Sequence, residues 1–189
     1  SAQVTVYGGY TDKNLPYFID AAGVFAYNWY NGQRDINVGN VILRTANAAY
    51  DGQQYGVYLG GGYKFDVTKN IEFTPLLSLQ WNHLGLNSYT ETGAGALNLA
   101  VNRQSYDQLQ SGLGARIAAP MKFKWGTFTP EAHGKWFYDF IGDDMAVTSN
   151  FNGGGGNFGS NGCKPALNSF NVGGQLIFEF KNDISIIGN

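Results

Sequence analysis

Charge is scarce in this sequence: only 14% of its 189 residues are Asp, Glu, Lys or Arg, against about 25% in an ordinary soluble domain. Twelve bases against fourteen acids leave a net charge of -2, so there is no basic field to hold a nucleic acid. A lone cysteine, Cys163, excludes an intrachain disulfide framework. No apolar run approaches the ~18 residues of a membrane helix, the longest candidate, Ala21 to Tyr27, being stopped by Asn28. No secretory signal is visible at Ser1, so an export signal is expected outside these 189 residues. Glycine, at 27 residues, and aromatics, at 15%, are by contrast abundant. The glycines, with five prolines, disfavour long helices, and the length suits one domain.

What fills the chain is a period of two. From Tyr17 the odd positions read Tyr17, Ile19, Ala21, Gly23, Phe25, Tyr27, Trp29, and the even ones Phe18, Asp20, Ala22, Val24, Ala26, Asn28. The alternation recurs over Tyr55 to Phe65, Ile71 to Asn82, Gln108 to Ile117, Phe128 to Phe140 and Ser169 to Lys181, which predicts six strands. Weaker strands are expected over Gln3 to Tyr10 and from Ile184 onward. Connections alternate in length. Short polar turns fall at Thr11 to Pro16, Asp66 to Asn70, Lys122 to Lys124 and Asn182-Asp183, whereas long Gly/Asn-rich segments run from Asn31 to about Asp51, Gly85 to Asn102 and Gly142 to Asn168. Such long connections are expected to be either disordered or functional, and Phe151 to Gly162, with four consecutive glycines, to be flexible.

A half-buried soluble sheet also alternates, so three further features decide the class. The charges within the six strands all fall on the polar parity, except Asp107, which sits at a long-connection end. On a lipid-facing wall a mid-membrane Lys or Arg costs about 2 to 4 kcal/mol, which demands that sorting. The apolar parity is also banded. Tyr27, Trp29, Tyr55, Trp81, Trp136, Tyr138 and Phe170 lie toward the long connections, Tyr17, Tyr63, Phe65, Phe73, Phe128, Phe178 and Phe180 toward the short turns, and Ala21, Leu59, Leu77, Ala132 and Val172 between. Two aromatic girdles around an aliphatic belt match the two interfaces of a bilayer. Finally, strands of roughly 12 residues exceed the ~9 to 11 that cross a bilayer at a tilt. The expected fold is therefore all-β, an antiparallel up-and-down transmembrane β-barrel, with the short turns on the periplasmic side. Its lipid-facing residues are expected to include Tyr17, Tyr27, Trp29, Leu59, Leu77, Trp81, Ala132, Trp136 and Phe178, and its pore-lining residues Asp20, Lys64, Glu72, Gln80, Arg116, Glu131, His133, Lys135, Asp139 and Glu179.

The order of certain segments adds a family resemblance. Tyr17-Phe18-Ile19-Asp20, Tyr50-Asp51-Gly52 before a glycine-rich strand closing on Gly62-Tyr63, Phe73-Thr74-Pro75-Leu76, Leu79-Gln80-Trp81, Tyr89 to Leu99, Leu113-Gly114-Ala115-Arg116, Pro130-Glu131-Ala132 and Trp136 to Phe140 follow one another as in the C-terminal translocator barrel of bacterial autotransporters, type V secretion, which the chain resembles over nearly its whole length. The resemblance implies residence in the outer membrane of a Gram-negative bacterium. It implies an outer-membrane anchor and conduit for the protein's own N-terminal passenger, assembled with the outer-membrane barrel assembly machinery and periplasmic chaperones. Barrels of that family have about twelve strands, an even number as outer-membrane barrels have, and a pore helix. About eight strands are legible here. Residues 1 to 189 are accordingly expected to be a single barrel domain, incomplete at both ends.

Enzymatic chemistry finds little purchase. Gly154, Gly156 and Gly159 spell G-x-G-x-x-G but float in a loop instead of joining a strand to a helix. His83 and His133 lie on different strands and faces, and Cys163 is remote, so zinc lacks a ligand set. No G-x-S-x-G elbow occurs. Some members of the resembled family cut their own linker with barrel acids and a pore-helix asparagine, but without that helix no catalytic role passes to Asp20, Glu72 or Glu131. No cofactor and no enzyme activity are expected. Two other readings stay open, namely a small structural or adhesive outer-membrane barrel binding partners through its external loops, and a diffusion porin.

Overall fold

The computed structural model describes residues 1–12, 14–162, 164–181 and 184–188. Cys163 and the expected Asn182-Asp183 turn lie outside them. Fourteen strands follow one another: β1 (Ala2–Thr11), β2 (Tyr17–Val38), β3 (Ile42–Tyr63), β4 (Phe65–Thr68), β5 (Ile71–Leu86), β6 (Tyr89–Thr90), β7 (Leu99–Val101), β8 (Gln104–Ala118), β9 (Met121–Lys122), β10 (Gly126–Asp139), β11 (Ala146–Phe151), β12 (Phe158–Asn161), β13 (Asn168–Phe180) and β14 (Ser185–Gly188). The sole helical element among the described residues is a single 3-10 turn, Gly95–Leu97.

Sequential strands pair antiparallel in the order β1-β2-β3-β5-β8-β10-β13-β14, with β4 and β9 as short additions at the turn end. All six predicted strands and both weaker ones are present. Their parity holds, because each register aligns odd with odd and even with even from β2 to β8: Ala21 meets Leu59, Leu59 meets Leu79, and Leu77 meets Leu113. The right-handed twist of such a ladder curls it, and the sheet forms a half-barrel with one concave and one convex face.

The two faces invert the arrangement of a soluble domain. On the convex face Leu59 is 53% exposed, Leu77 65% and Leu113 57%. Among the described residues the buried apolar ones are Ala26, Ala46, Ala94, Val101 and Ala118, and the large fully buried side chain is Thr74. No hydrophobic core of the sandwich kind is present among the described residues, and a contiguous apolar face of this extent belongs against another apolar phase.

The expected long connections differ from what is found. Asn31 to Asp51 is not a loop, for β2 and β3 continue as one ladder of 22 residues each to a tip at Gly39 and Asn40. Both tip residues have positive φ (60° and 56°), the conformation that tight hairpins favour, and the Val41 N–H closes the turn on the Val38 carbonyl at 3.1 Å. The alternation that marks the lower strands fades above Trp29 because water replaces lipid outside, so the pattern no longer has to be kept. The other two connections fold together into a second sheet, ordered β12-β11-β7-β6. Within Phe151 to Gly162 the structure places β12 paired to β11, while residues 152–157, with the four glycines, stay outside the strands, flanked by the Phe151–Phe158 ring contact at 5.3 Å.

The inner ladder is tight at Gly114, which pairs with Lys135 of β10 and Leu76 of β5. A Cβ at Gly114 would collide with the Gly134 carbonyl oxygen of the neighbouring strand, while a Cβ at Gly134, on the convex face, would meet nothing within 4 Å. Gly114→Ala is therefore expected to lose about 1 to 3 kcal/mol by overpacking, and Gly134→Ala to be neutral. The fraction of heat-modifiable barrel on electrophoresis reads both.

Candidate functional site

The concave wall gathers most of the expected polar set. Asp20 lies on β2, Glu72 and Gln80 on β5, Arg116 on β8, Glu131, His133 and Lys135 on β10, and Glu179 on β13. Registers set their neighbours. Thr74, Arg116 and His133 form one row across three strands, while Glu72 and Glu131 flank Ala118 in the next. Arg116 Nη1 stands 3.9 Å from Glu131 Oε1. Lys135 Nζ lies over the Phe137 ring at 5.2 Å and the Tyr58 ring at 6.0 Å. Above them Asn82 Nδ2 donates to Gln108 Oε1 at 3.1 Å, extending a neutral polar ladder upward from Gln80.

Two members of the expected set do something else. Lys64 leaves the ladder between β3 and β4, where its backbone N–H donates to the Pro16 carbonyl at 2.6 Å, and it lines a cleft at the short-turn end with Asp12, Asp66 and Glu72. Asp139 is only 3% exposed, and its Oδ1 accepts the Ile141 and Gly142 N–H groups at 3.1 and 3.4 Å. It ends β10 and shapes the next turn, as a carboxylate able to bond backbone two residues ahead does, instead of standing as an open wall charge.

The convex face carries Tyr17, Tyr27, Trp29, Leu59, Leu77, Trp81, Ala132, Trp136 and Phe178. The upper rings are held by acceptors that parity gave no reason to single out. Tyr27 Oη donates to Asp51 Oδ2 at 2.5 Å, Trp81 Nε1 to Asp107 Oδ1 at 3.2 Å, and Trp136 Nε1 to Asn168 Oδ1 at 3.0 Å. Asp107, the charge on the wrong parity, is thereby explained, and its Oδ1 also lies 3.0 Å from His83 Nδ1. A short polar residue one rung beyond an aromatic is the signal that would have found these partners.

A cap stands over this wall. The segment from Tyr89 to Val101 folds onto the even-numbered, inward side of the extended β2–β3 hairpin: Tyr89 stacks on Tyr50 at 4.3 Å, Tyr50 on Tyr30 at 5.1 Å, and Asn47 bridges Thr92. Arg34 grips Glu91 with two bonds, Nε to Oε1 at 3.1 Å and Nη2 to Oε2 at 2.5 Å, and also donates to the Leu97 carbonyl at 3.0 Å. Glu91 Oε2 in turn accepts the Leu99 N–H at 2.8 Å. Arg34 holds the Glu91 carboxyl below its ordinary value of 4.5, with the Leu99 N–H adding to this and burial opposing it. Arg44 donates to the carbonyl of Ala94, which is fully buried. Of these residues Arg34, Glu91 and Arg44 were not legible as a site, since a bidentate pair 57 positions apart leaves no local spacing.

Comparison with known proteins adds to this geometry. The family model described as Autotransporter beta-domain matches residues 1–189. Outer membrane protein A of Rickettsia conorii is 26% identical over 175 residues, covering 89% of this chain and 9% of that protein. Its counterpart in Rickettsia rickettsii is also 26% identical, with 89% and 8% covered. Lipase 1 of Photorhabdus luminescens is 25% identical over 138 residues, 66% of this chain and 21% of that protein. The chain thus spans less than a tenth of the length of the two Rickettsia relatives.

The Glu91 pair sets the acid response of the cap. A carboxyl with a depressed folded value stabilises the fold above its unfolded value and loses that contribution as pH falls through the folded one. The cap is expected to keep its protection from neutral pH down to the ordinary carboxylate range and to open below it, whereas Glu91→Gln opens it already at pH 7. Hydrogen exchange of the amides between Tyr89 and Val101 measures both. Unchanged protection in the variant would assign the cap to the tyrosine stack instead.

Proposed function

This chain belongs to the autotransporter β-domain family, outer-membrane translocators of bacteria, and resides in the outer membrane; from that premise we propose that it anchors and conducts the export of its own passenger polypeptide. The observation that carries this reading is the inverted distribution of polarity, with exposed Leu59, Leu77 and Leu113 outside and Thr74, Ser78 and Arg116 within. In this reading Tyr17, Tyr27, Trp29, Leu59, Leu77, Trp81, Ala132, Trp136 and Phe178 face lipid. Asp20, Glu72, Gln80, Arg116, Glu131, His133, Lys135 and Glu179 face a hydrated pore.

An extended polypeptide crossing that pore meets both charge signs along a hydrated wall, so its backbone is not desolvated. Because lipid offers no hydrogen-bond partners, β1 and β14 each need a mate, which supports a larger closed barrel that includes this sheet. The segment itself acts as a wall and not as a catalyst. Lipase activity is named for the Photorhabdus relative, of which this chain matches 21%. Barrel assembly machinery and periplasmic chaperones are the partners that insertion of such a sheet calls for. The ordered external sheet favours one second reading, in which the cap binds a surface partner directly.

The experiment is topological. In the full-length protein, an epitope placed ahead of Ser1 should become protease-accessible on intact cells, and deletion of residues 1 to 189 should confine it to the periplasm. An epitope that never reaches the surface from an assembled barrel would leave the second reading standing. The faces are tested in the same cells. Leu77→Arg should lose about 2 to 4 kcal/mol of insertion free energy and most of the assembled barrel, while Gln80→Arg enters water and assembles. Ser78 is a poorer site for that comparison, being only 5% exposed.

A further inference from the structure

The extended β2–β3 hairpin is closed on one flank and open on the other. On the β3 flank, β5 pairs with Gly52 to Gly62, and above it Asn47 and Thr92 exchange backbone hydrogen bonds while the Asp51 carbonyl accepts the Asn87 N–H. On the β2 flank, β1 pairs only as far as Tyr27. From Asn28 to Val38, β2 is laddered to β3 alone, and among the described residues no backbone hydrogen bond joins its other edge. Up to that point the β1–β2 register runs without a shift. Each step up β2 is one step back along β1, from Thr11 beside Phe18 to Ala2 beside Tyr27.

The open edge carries none of the usual guards. Sheet edges in water are ordinarily blunted by proline, lysine or a bulge. Asn28 to Val38 contains neither residue, and the β2–β3 register passes through it without a shift. Its two charges are tied to the protein itself, Arg34 by Glu91 and Asp35 by Thr45 and Gln33. Val38, on the inward side that the cap covers lower down, is left 55% exposed. A side chain in that place is one that a neighbouring strand covers from the side.

We propose that the residues immediately ahead of Ser1 in the full-length protein continue β1 as a strand along this edge, from Asn28 to Val38. Continuity with the β1–β2 ladder names the occupant. Chain ahead of Ser1 leaves β1 at the foot of the edge, in line and in register, so pairing closes no loop and carries no loop-closure cost. A strand from a second copy would have to begin where that chain emerges and would collide with it. In the existing register Ser1 falls beside Asn28, the first residue ahead of it beside Trp29, the fifth beside Gln33 and the ninth beside Asn37. The contact is made by main chain, so it accepts most side chains in the incoming segment. The hairpin becomes a three-stranded sheet, which stands in water better than a two-stranded ribbon does. The cap then holds one flank and the incoming chain the other.

Two measurements on the full-length protein in outer membranes test this. Hydrogen exchange resolved to single residues reads the edge without any substitution. Successive amides of a strand point to opposite edges, so pairing with β3 alone protects every second amide from Asn28 to Val38, whereas the added strand protects them in unbroken succession. Disulfide coupling reads the partner and the register. In a Cys163→Ser background, Gln33→Cys is expected to join a cysteine placed at the fifth residue ahead of Ser1 on mild oxidation. Its yield should exceed by about tenfold that with a cysteine at the ninth, which lies ~13 Å further along the strand and beyond disulfide reach. Gln33 is exposed, so the substitution disturbs no packing. Fast exchange at every second amide of an assembled barrel overturns the proposal. So does equal coupling at the fifth and ninth positions, a disulfide joining two copies, or no coupling in a barrel that is heat-modifiable and therefore assembled. Passenger export is read separately by the surface epitope, so these outcomes leave the translocator reading standing.

Discussion

Every backbone N–H and C=O that enters hydrocarbon must find its partner inside the protein, and the rest of this structure follows from that constraint. Among the described residues no helix is long and apolar enough to cross a membrane, so the ladder between strands carries the requirement. Long, regular registers result, from the ten pairs of β1 with β2 to the thirteen of β10 with β13. Those registers then decide which side chain points where. A single slip would exchange Leu77 for Ser78 on the lipid side and place Arg116 in hydrocarbon.

The same constraint releases the ends of the strands. Below, Lys64 and the short β4 and β9 can depart from the ladder because water is at hand. Above, β2 and β3 run well past their girdle and take on a cap built on ordinary soluble principles, with buried Ala46, Ala94 and Val101, a tyrosine stack and a bidentate ion pair. Two solvents thus act on one hairpin: lipid dictates its lower half and water its upper half.

How far each part could be read beforehand depends on that division. Strand positions and parity were legible, because a ladder with two unlike faces sorts its side chains residue by residue, as at Ala21, Leu59 and Leu77. In the upper halves of β2 and β3 the sequence of Asn31 to Asp51 reads as a loop, since it keeps no strict alternation. Asp107 breaks the parity because it is the partner of the Trp81 and His83 side chains, which a pattern of alternation does not show. Asp139 looked like a wall charge because parity says nothing of a side chain turning back on its own backbone. Arg34 and Glu91 meet only through tertiary folding, and no spacing in a single sequence records such a meeting.

The three upper girdle rings share one habit: Tyr27, Trp81 and Trp136 each hand their hydrogen to a protein acceptor, Asp51, Asp107 or Asn168. In the orientation proposed above, rings pinned in this way cannot follow the lipid headgroups up and down, and the bilayer settles to the height of the rings. That height becomes a datum for everything above it. Counted from Trp29, the nine further residues to Val38 at ~3.3 Å each raise the Gly39-Asn40 tip on the order of 30 Å above the girdle, less any tilt. In the same orientation, whatever approaches this hairpin from outside the cell meets a glycine and an asparagine at its tip, at an altitude set by three ring hydrogen bonds.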